Sequence, residues 1–309
     1  MTRPRIVITG GSGFLGEWVV RLARARWDVT ATYLTNRERR CDVDWRRLDV
    51  RDRSAVSSLI KRVRPRVVVH TAALNPGQGS CFQAVNAVGT QHVAEAAGLV
   101  GAYLVHVSTD VLFDGKTGSY VEEDHPSPIT AYGRSKALAE QAVRNADASA
   151  IIVRTSLIYG PSAEVERPSL SETSWSHWDR QTRWVIGDLR AGQSVRLFTD
   201  ERRCPVWVKS LAFALIELAD SESNRTRRTE VLHVAGAQAL SRFEFGVRLA
   251  RLHGVDHAGI VPVKSRDSGM SRPLDCTLDC SRARARLRTP LPGVDDPLTS
   301  RSRRDPAHG

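Results

Sequence analysis

No stretch of the 309-residue chain approaches the roughly 18 consecutive apolar residues that a membrane-spanning helix needs. No cleavable leader is expected either: Met1 to Arg5 runs straight into Ile6-Val7-Ile8, which a glycine-rich turn stops at once. A cytoplasmic location with no membrane partner is therefore expected. The five cysteines (41, 81, 204, 276 and 280) form no CxxC pair, and no histidine cluster accompanies Cys276 and Cys280. A zinc module is excluded, no metal is expected, and free thiols in a reducing compartment are expected. Lysine is scarce, at 61, 116, 136, 209 and 264 only, so the formal charge of +11 is almost entirely arginine. These arginines are spread along the chain, and neither a zinc finger nor an RRM aromatic signature accompanies them. Charge alone gives only non-specific attraction to nucleic acid. A preference for anionic small molecules is the better expectation.

What is present is a core and a pattern. The hydrophobic fraction is 41% and the charged fraction 26%, ordinary for a soluble globular chain. Up to about residue 155, short β-branched runs alternate with amphipathic segments. Strands are expected at Arg5–Thr9, Asp28–Tyr33, Arg66–His70, Tyr103–Val107 and Ala150–Thr155. Helices are expected at Phe14–Arg26, Ser54–Val63, Phe82–Val100 and Ala131–Arg144. Near-continuous apolar strands separated by helices mark a parallel sheet covered on both faces. The expected fold is α/β: a Rossmann-type, doubly wound parallel sheet with a smaller mixed C-terminal substrate lobe. Its nucleotide-binding part spans 1–160, the lobe mainly 161–290 with some segments returning to the core, and 291–309 is expected to be a disordered tail. Within the lobe, Ser162–Gln181 reads as a polar loop or lid carrying Trp175, His177 and Trp178. Helices follow at Trp184–Ala191, Val208–Ala219 and Ser241–Leu252, with a strand at Val231–Val234.

Gly10, Gly13 and Gly16 fall in GxxGxxG spacing between the first strand and the first helix. That context needs glycine for a tight turn, for backbone approach to a pyrophosphate, and for close helix-on-strand packing; the helix N-terminus then faces the negative charge. NAD enzymes place an acid at the end of the second strand for the ribose 2′-hydroxyl. Here that position reads Tyr33-Leu34-Thr35-Asn36-Arg37-Glu38-Arg39-Arg40. A guanidinium such as that of Arg37 suits a 2′-phosphate, so NADPH is expected over NAD. Asp49, in Leu48-Asp49-Val50, is a candidate contact for the adenine amino group.

Tyr132 and Lys136 stand at i and i+4 on an expected helix, so phenol and ammonium can converge. A nearby ammonium favours the phenolate, lowering the tyrosine pKa from about 10 and making the phenol a usable general acid. Upstream, Ser108-Thr109-Asp110 ends a strand, where open α/β sheets bind ligands. A hydroxyl there can hold a substrate carbonyl oxygen; Thr109 is the first choice and Ser108 the reserve.

With these pieces in place, the chain resembles the extended short-chain dehydrogenase/reductase superfamily, and within it the dTDP-4-dehydrorhamnose reductase group of sugar-nucleotide reductases. The resemblance rests on the loop 9–16, His70-Thr71-Ala72-Ala73, Val85-Asn86 with Gly89-Thr90, Ser108-Thr109-Asp110 through Gly115, Ala131 to Lys136, Arg154-Thr155-Ser156 and Arg203-Cys204-Pro205-Val206. It implies a catalytic triad of Thr109, Tyr132 and Lys136. Cofactor contacts are implied at Gly10, Gly13, Phe14, Leu15, Gly16, Arg37, Asp49, Val50, Ala72, Ala73, Asn86 and Lys136. Substrate contacts are implied at Ser108, Asp110 and Arg203, with Arg202 and Arg203 candidates to meet a diphosphate. The implied reaction is NADPH-dependent reduction of a ketone, foremost a nucleotide-linked 4-keto-6-deoxy sugar, with Tyr132 as proton donor and a homodimer as one possible assembly. Two departures fall in the lobe: Leu157 stands where the group carries Trp, and Ser162–Gln181 is longer and more polar than the usual link. Two alternatives share the scaffold. One is a non-catalytic NADP-binding regulatory subunit, like the β subunit of methionine adenosyltransferase. The other is a sugar-nucleotide epimerase, which retains its cofactor and usually prefers NAD, or a dehydratase, against which stands the lack of an Asp-Glu pair at Thr109-Asp110.

Overall fold

The computed structural model describes residues 3–35, 43–163, 178–221 and 229–296. In chain order the first half comprises β1 (Arg5–Thr9), α1 (Phe14–Ala23), β2 (Asp28–Tyr33), β3 (Asp44–Arg47), α2 (Arg53–Val63) and β4 (Val67–His70). It continues through α3 (Gly89–Leu99), β5 (Tyr103–Thr109), α4 (Ala131–Asn145) and β6 (Ala150–Thr155). The second half holds β7 (Ile158–Tyr159), α5 (Arg180–Arg190), β8 (Val195–Phe198), β9 (Arg202–Arg203), β10 (Val206–Trp207) and α6 (Val208–Asp220). It ends with β11 (Glu230–His233), β12 (Leu240–Ser241), α7 (Arg242–Leu252), β13 (Ile260–Val263) and α8 (Ser281–Arg286).

Seven strands form one all-parallel sheet in the order β11-β6-β5-β4-β1-β2-β3. The order reverses at β1, so the chain leaves β1 and β4 in opposite directions and opens a crevice beyond their carboxyl ends. Residues of the central strands are buried on both sides because helices cover both faces. One face packs Trp18 and Val19 of α1 against Leu211 and Leu215 of α6. The other packs Val56 and Ile60 of α2, Val93 and Ala97 of α3, and Val143 of α4. A third cluster centres the lobe, where Val185 and Ile186 of α5 meet Phe245 and Leu249 of α7 and Leu197 of β8.

β11 joins the lobe back to the main sheet by pairing with β6 in register Val231↔Ile152. β3 has no counterpart in the sequence reading, because Asp44-Trp45-Arg46-Arg47 buries only Trp45. It is an edge strand, and charged side chains are how such edges avoid further pairing. The expected helix 82–100 is two pieces: a π-helical turn at Gln83–Val88 feeds α3. α5 starts at Arg180, earlier than expected, because the buried Asp179 carboxylate caps it by accepting from Gln181 N at 2.9 Å and Thr182 N at 3.0 Å. The expected tail is corrected at its start. Leu291 and Val294 are buried, and Val294 N donates to Gln238 Oε1 at 2.6 Å. Residues 297–309 lie outside the described residues, as do Trp175 and His177 of the expected lid; Trp178 is buried and bridges to Pro161.

Candidate active site

The glycine loop is held against the loop that follows β4. Gly10 has φ +70°, and a Cβ there would lie 2.6 Å from the Ala72 backbone; a Cβ on Gly16 would lie 2.1 Å from the Gly10 carbonyl. Side chains are therefore excluded at the turn and at the helix–turn contact for separate reasons. Gly13 caps α1 with no side-chain hydrogen bond, which leaves the first N–H groups of α1 without a side-chain acceptor. That free helix end, facing a cleft of about 1380 Å³, fits an anionic group such as a dinucleotide pyrophosphate. Phe14, Leu15, Val50, Ala72 and Ala73 line the same cleft.

Asn86 is fully buried in the π-helical turn and ties two loops together. Its Oδ1 accepts from Leu74 N at 2.8 Å, while Nδ2 donates to Leu74 O and to Ser135 Oγ, both at 3.0 Å. One amide thus couples the loop after β4 to the first turn of α4, where Tyr132 stands. Asp49 lines the cleft as well. Its carboxylate is engaged by Arg51, with Nε to Oδ1 at 2.9 Å and to Oδ2 at 3.0 Å, and the guanidinium holds it below the usual carboxylate range. Arg37 lies outside the described residues.

Thr109, Tyr132 and Lys136 line one wall of the cleft. β5 delivers Thr109 at its carboxyl end, and α4, capped by Thr130 on Gly133 N at 3.0 Å, delivers the other two. The Tyr132 phenol donates to Asn75 Oδ1 at 3.3 Å, and the nearby Thr109 hydroxyl favours the phenolate weakly against burial. Phe82 meets the Tyr132 ring edge-on, 5.9 Å between centroids. The expectation that Lys136 lowers the Tyr132 pKa is not met in this geometry. Lys136 Nζ donates to the Val107 carbonyl at 2.7 Å, and burial dominates at the phenol, which is pushed up to about 12. Burial pushes Lys136 the other way, down to about 8, opposed by the Glu140 carboxylate one helical turn on.

Behind this wall, Glu140 and His106, which the sequence reading passed over, join the motif residues Arg154, Ser108 and His70. Arg154 of β6 forks onto Glu140, Nε to Oε1 at 3.0 Å and Nη2 to Oε2 at 2.9 Å, with both residues buried. Ser108 Oγ donates to Glu140 Oε1 at 2.6 Å, so this hydroxyl faces the buried pair, while Thr109 is the one hydrogen-bonded to its neighbour Asp110. His70 and His106 stack 5.4 Å apart beneath Lys136. His70 bridges Thr9 Oγ1 at 2.6 Å and Thr90 Oγ1 at 3.0 Å; the Thr90 hydroxyl donates to Asn86 O, which puts the His70 proton on Nε2. Burial and the Lys136 charge push both imidazoles down, His70 to about 3.

At the lobe side of the cleft, Asp110 is buried and accepts from Ser156 Oγ at 2.6 Å; burial raises its pKa against the pull of Arg203, 3.7 Å away. Arg203 does not offer its terminal donors to a diphosphate, as the sequence reading expected. Nη1 donates to the Arg202 and Leu274 carbonyls at 2.7 and 2.9 Å, and Nη2 to Pro273 O at 2.9 Å. Arg202 is engaged by Ala239 O and by Asp275. Leu157 lines the cleft between Ser156 and Ile158.

Residues 4–300 match the family described as the RmlD substrate binding domain. The chain belongs to that family, within the extended short-chain dehydrogenase/reductase superfamily. A hypothetical dTDP-4-dehydrorhamnose reductase from Sulfolobus tokodaii superposes with a TM-score of 0.77 at 30% identity, covering 94% of this chain and 98% of that one. The dTDP-4-dehydrorhamnose reductase of Mycobacterium tuberculosis is 33% identical over 84% of this chain and 79% of its own. A probable low-salt glycan biosynthesis reductase of Haloferax volcanii is 30% identical over 95% of both chains. Against an RmlD-family background the sequence signals divide cleanly. Motif residues in the cofactor half come together at one crevice, whereas the lobe residues picked for diphosphate contact are engaged in internal bonds. Glu140 stands four residues after Lys136, so the same spacing that linked tyrosine to lysine could have found it. Asn86, seated by a π-helical turn, had only its motif to point to it.

Proposed function

We propose that this chain is an NADPH-dependent reductase of a ketone, foremost the 4-keto group of a nucleotide-linked 4-keto-6-deoxy sugar, with Tyr132 as proton donor. The observation that carries this reading is the convergence of the Thr109 hydroxyl, the Tyr132 phenol and the Lys136 ammonium on one wall of a cleft whose other end is the uncapped glycine loop. A bound nicotinamide would supply the hydride. The residues of this chain would then handle the oxygen. With its pKa near 12 the Tyr132 phenol keeps its proton across the neutral range, so the donor is always loaded for reduction. Thr109 would hold the same oxygen by a second hydrogen bond. The Lys136 ammonium, held on the Val107 carbonyl at 2.7 Å, would place a positive charge in the same cleft, where the dinucleotide is expected.

The choice of NADPH over NADH is supported by the end of β2, where Thr32-Tyr33-Leu34-Thr35 supplies no acid, and by Arg47, the last residue of the neighbouring β3. Arg37 is assigned to the 2′-phosphate on its position in sequence. The solved dTDP-4-dehydrorhamnose reductase of Bacillus anthracis, in complex with NADP, is 25% identical over 96% of this chain. A second reading has its own observation: the methionine adenosyltransferase 2 subunit β of Xenopus laevis is 27% identical over 90% of this chain and 81% of its own. On that reading the protein binds the dinucleotide without turnover. Titration with NADPH and NADH, then NADPH absorbance with a panel of nucleotide-linked 4-keto sugars, separates the two. Oxidation with any panel member supports the reductase; tight binding with no oxidation across the panel moves the reading to the regulatory subunit.

A further inference from the structure

Arg242 is the one cleft-lining guanidinium beside Asp110 and Glu201 whose side chain has no hydrogen bond among the described residues. Three arginines meet two carboxylates in this corner. Arg203 pairs with Asp110 at 3.7 Å and gives its terminal donors to carbonyls. Arg272 forks onto Glu201 through Nε and Nη2, and its guanidinium also lies over Phe198. Arg242 approaches the same Glu201 only to 4.0 Å, with about a quarter of its side chain exposed to the cleft. One positive charge is therefore left over, and it faces the cavity.

Its placement runs against local preference. Arg242 is the first residue of α7, where the helix dipole favours an anion rather than a cation. The position is nevertheless rigid. Ser241 and Glu244 form a reciprocal capping box, at 3.0 and 2.7 Å, and Arg242 N donates to Glu201 O at 2.9 Å. Pairing of β12 with β9, Leu240 opposite Arg203, sets the helix start beside the cleft wall. A cation fixed at a helix N-terminus, beside two other guanidiniums and 4.0 Å from a carboxylate already forked by Arg272, breaks a local rule with only partial compensation among the described residues; such places are where ligands supply the missing charge. Burial and the neighbouring arginines also push the Arg242 pKa down, to about 10.

We propose that Arg242 is the phosphate anchor of the substrate end of the cleft, gripping a phosphoryl oxygen pair of the nucleotide diphosphate in place of Arg202 and Arg203. The inference rests on the reading of the substrate as a nucleotide-linked sugar. Its test is a binding measurement on the full chain loaded with NADP⁺, with TDP, UDP and inorganic pyrophosphate as probes and thymidine and uridine as uncharged controls. At least one diphosphate is expected to bind more than 10-fold tighter than the matching nucleoside. Arg242→Gln is expected to remove roughly 10- to 100-fold of that affinity, the range for a bidentate charge-assisted contact, while nucleoside and NADP⁺ binding stay as they were. Arg202→Gln should leave diphosphate binding unchanged. Arg242→Met, which keeps much of the side-chain volume, repeats the test should the glutamine variant fold poorly. Diphosphates that bind no better than nucleosides, or equally well to the folded Arg242 variants, overturn the anchor. Because no turnover is read, an inactive wild type that still needs Arg242 for diphosphate binding would sink the reductase reading and leave the anchor standing. Normal turnover with Arg242-independent binding would do the reverse.

Discussion

Tyr132 and Lys136 have opposite shifts from one cause. Both are withdrawn from water, which disfavours the phenolate and the ammonium alike, so the phenol keeps its proton while the lysine holds its charge only up to about pH 8. Tyr132→Phe removes the proton and should lower kcat by roughly 10²-fold or more, with NADPH affinity retained, as read by steady-state kinetics and a binding titration. Near-normal turnover in that variant would end the donor assignment. Lys136 also gives a pH signature. As pH rises through about 8 its charge is lost, so kcat/KM should fall on the alkaline side; because Glu140 supports that charge, Glu140→Gln should move the fall to lower pH. A rate profile that keeps its alkaline limb in place would separate Glu140 from the lysine charge. The buried imidazoles act on stability instead. His70 and His106 have folded pKa values depressed below the unfolded 6.5, so unfolding takes up protons once the pH drops below 6.5, and stability present above that pH is lost on the way down. Each such histidine costs about 1 kcal/mol at one pH unit below 6.5. Neither ring nitrogen of His106 has a partner among the described residues, so His106→Phe should reduce the loss of urea stability between pH 7.5 and 5.5.

At the scale of elements, α4 is where the proposed catalytic pair and the architecture meet. The face carrying Tyr132, Lys136 and Glu140 follows the i, i+4, i+8 rise of one helix stripe. Its last member is locked by Arg154 on β6 and by Ser108 on β5, so a helix and two strands are set by one buried ionic cluster. Removing one charge leaves the other uncompensated out of water, which typically costs about 3–5 kcal/mol. Arg154→Met is therefore expected to destabilise strongly in urea unfolding, and Glu140→Met with Arg154→Met together to recover part of the loss, since neither charge then remains unpaired. A double variant as unstable as the sum of the singles would mean that Arg154 acts mainly through the carbonyls of Glu122 and Asp124.

For the whole molecule, the sheet order places the crevice between β1 and β4, and the lobe closes one side of it. A ligand seated there binds only the folded state. NADPH at 100 times its Kd should add about 2.7 kcal/mol to stability, visible as a rise of several degrees in Tm, whereas NADH at the same concentration should add less if the 2′-phosphate is read. Equal shifts with both dinucleotides would remove the argument from the end of β2. No helix among the described residues is long and apolar enough to cross a membrane.

The main-sheet strands buried on both faces, the glycine turn and the Tyr132–Lys136 spacing were legible in the chain itself, because each rests on local physics. Apolar runs such as Val67-Val68-Val69 need burial, φ +70° at Gly10 needs glycine, and residues four apart share a helix face. Other features depend on partners far away in sequence. β3 is polar and pairs only because β2 is beside it; Leu291 and Val294 look like tail residues until the lobe and the main core cover them. The roles of the arginines are decided entirely in three dimensions. Arg154, Arg202, Arg203 and Arg242 are alike as letters, yet one is buried on Glu140, two are engaged by carboxylates and carbonyls, and one keeps its charge facing the cleft. A guanidinium is free or engaged according to which carbonyls and carboxylates the tertiary packing brings within about 3 Å, and that is information no local pattern holds.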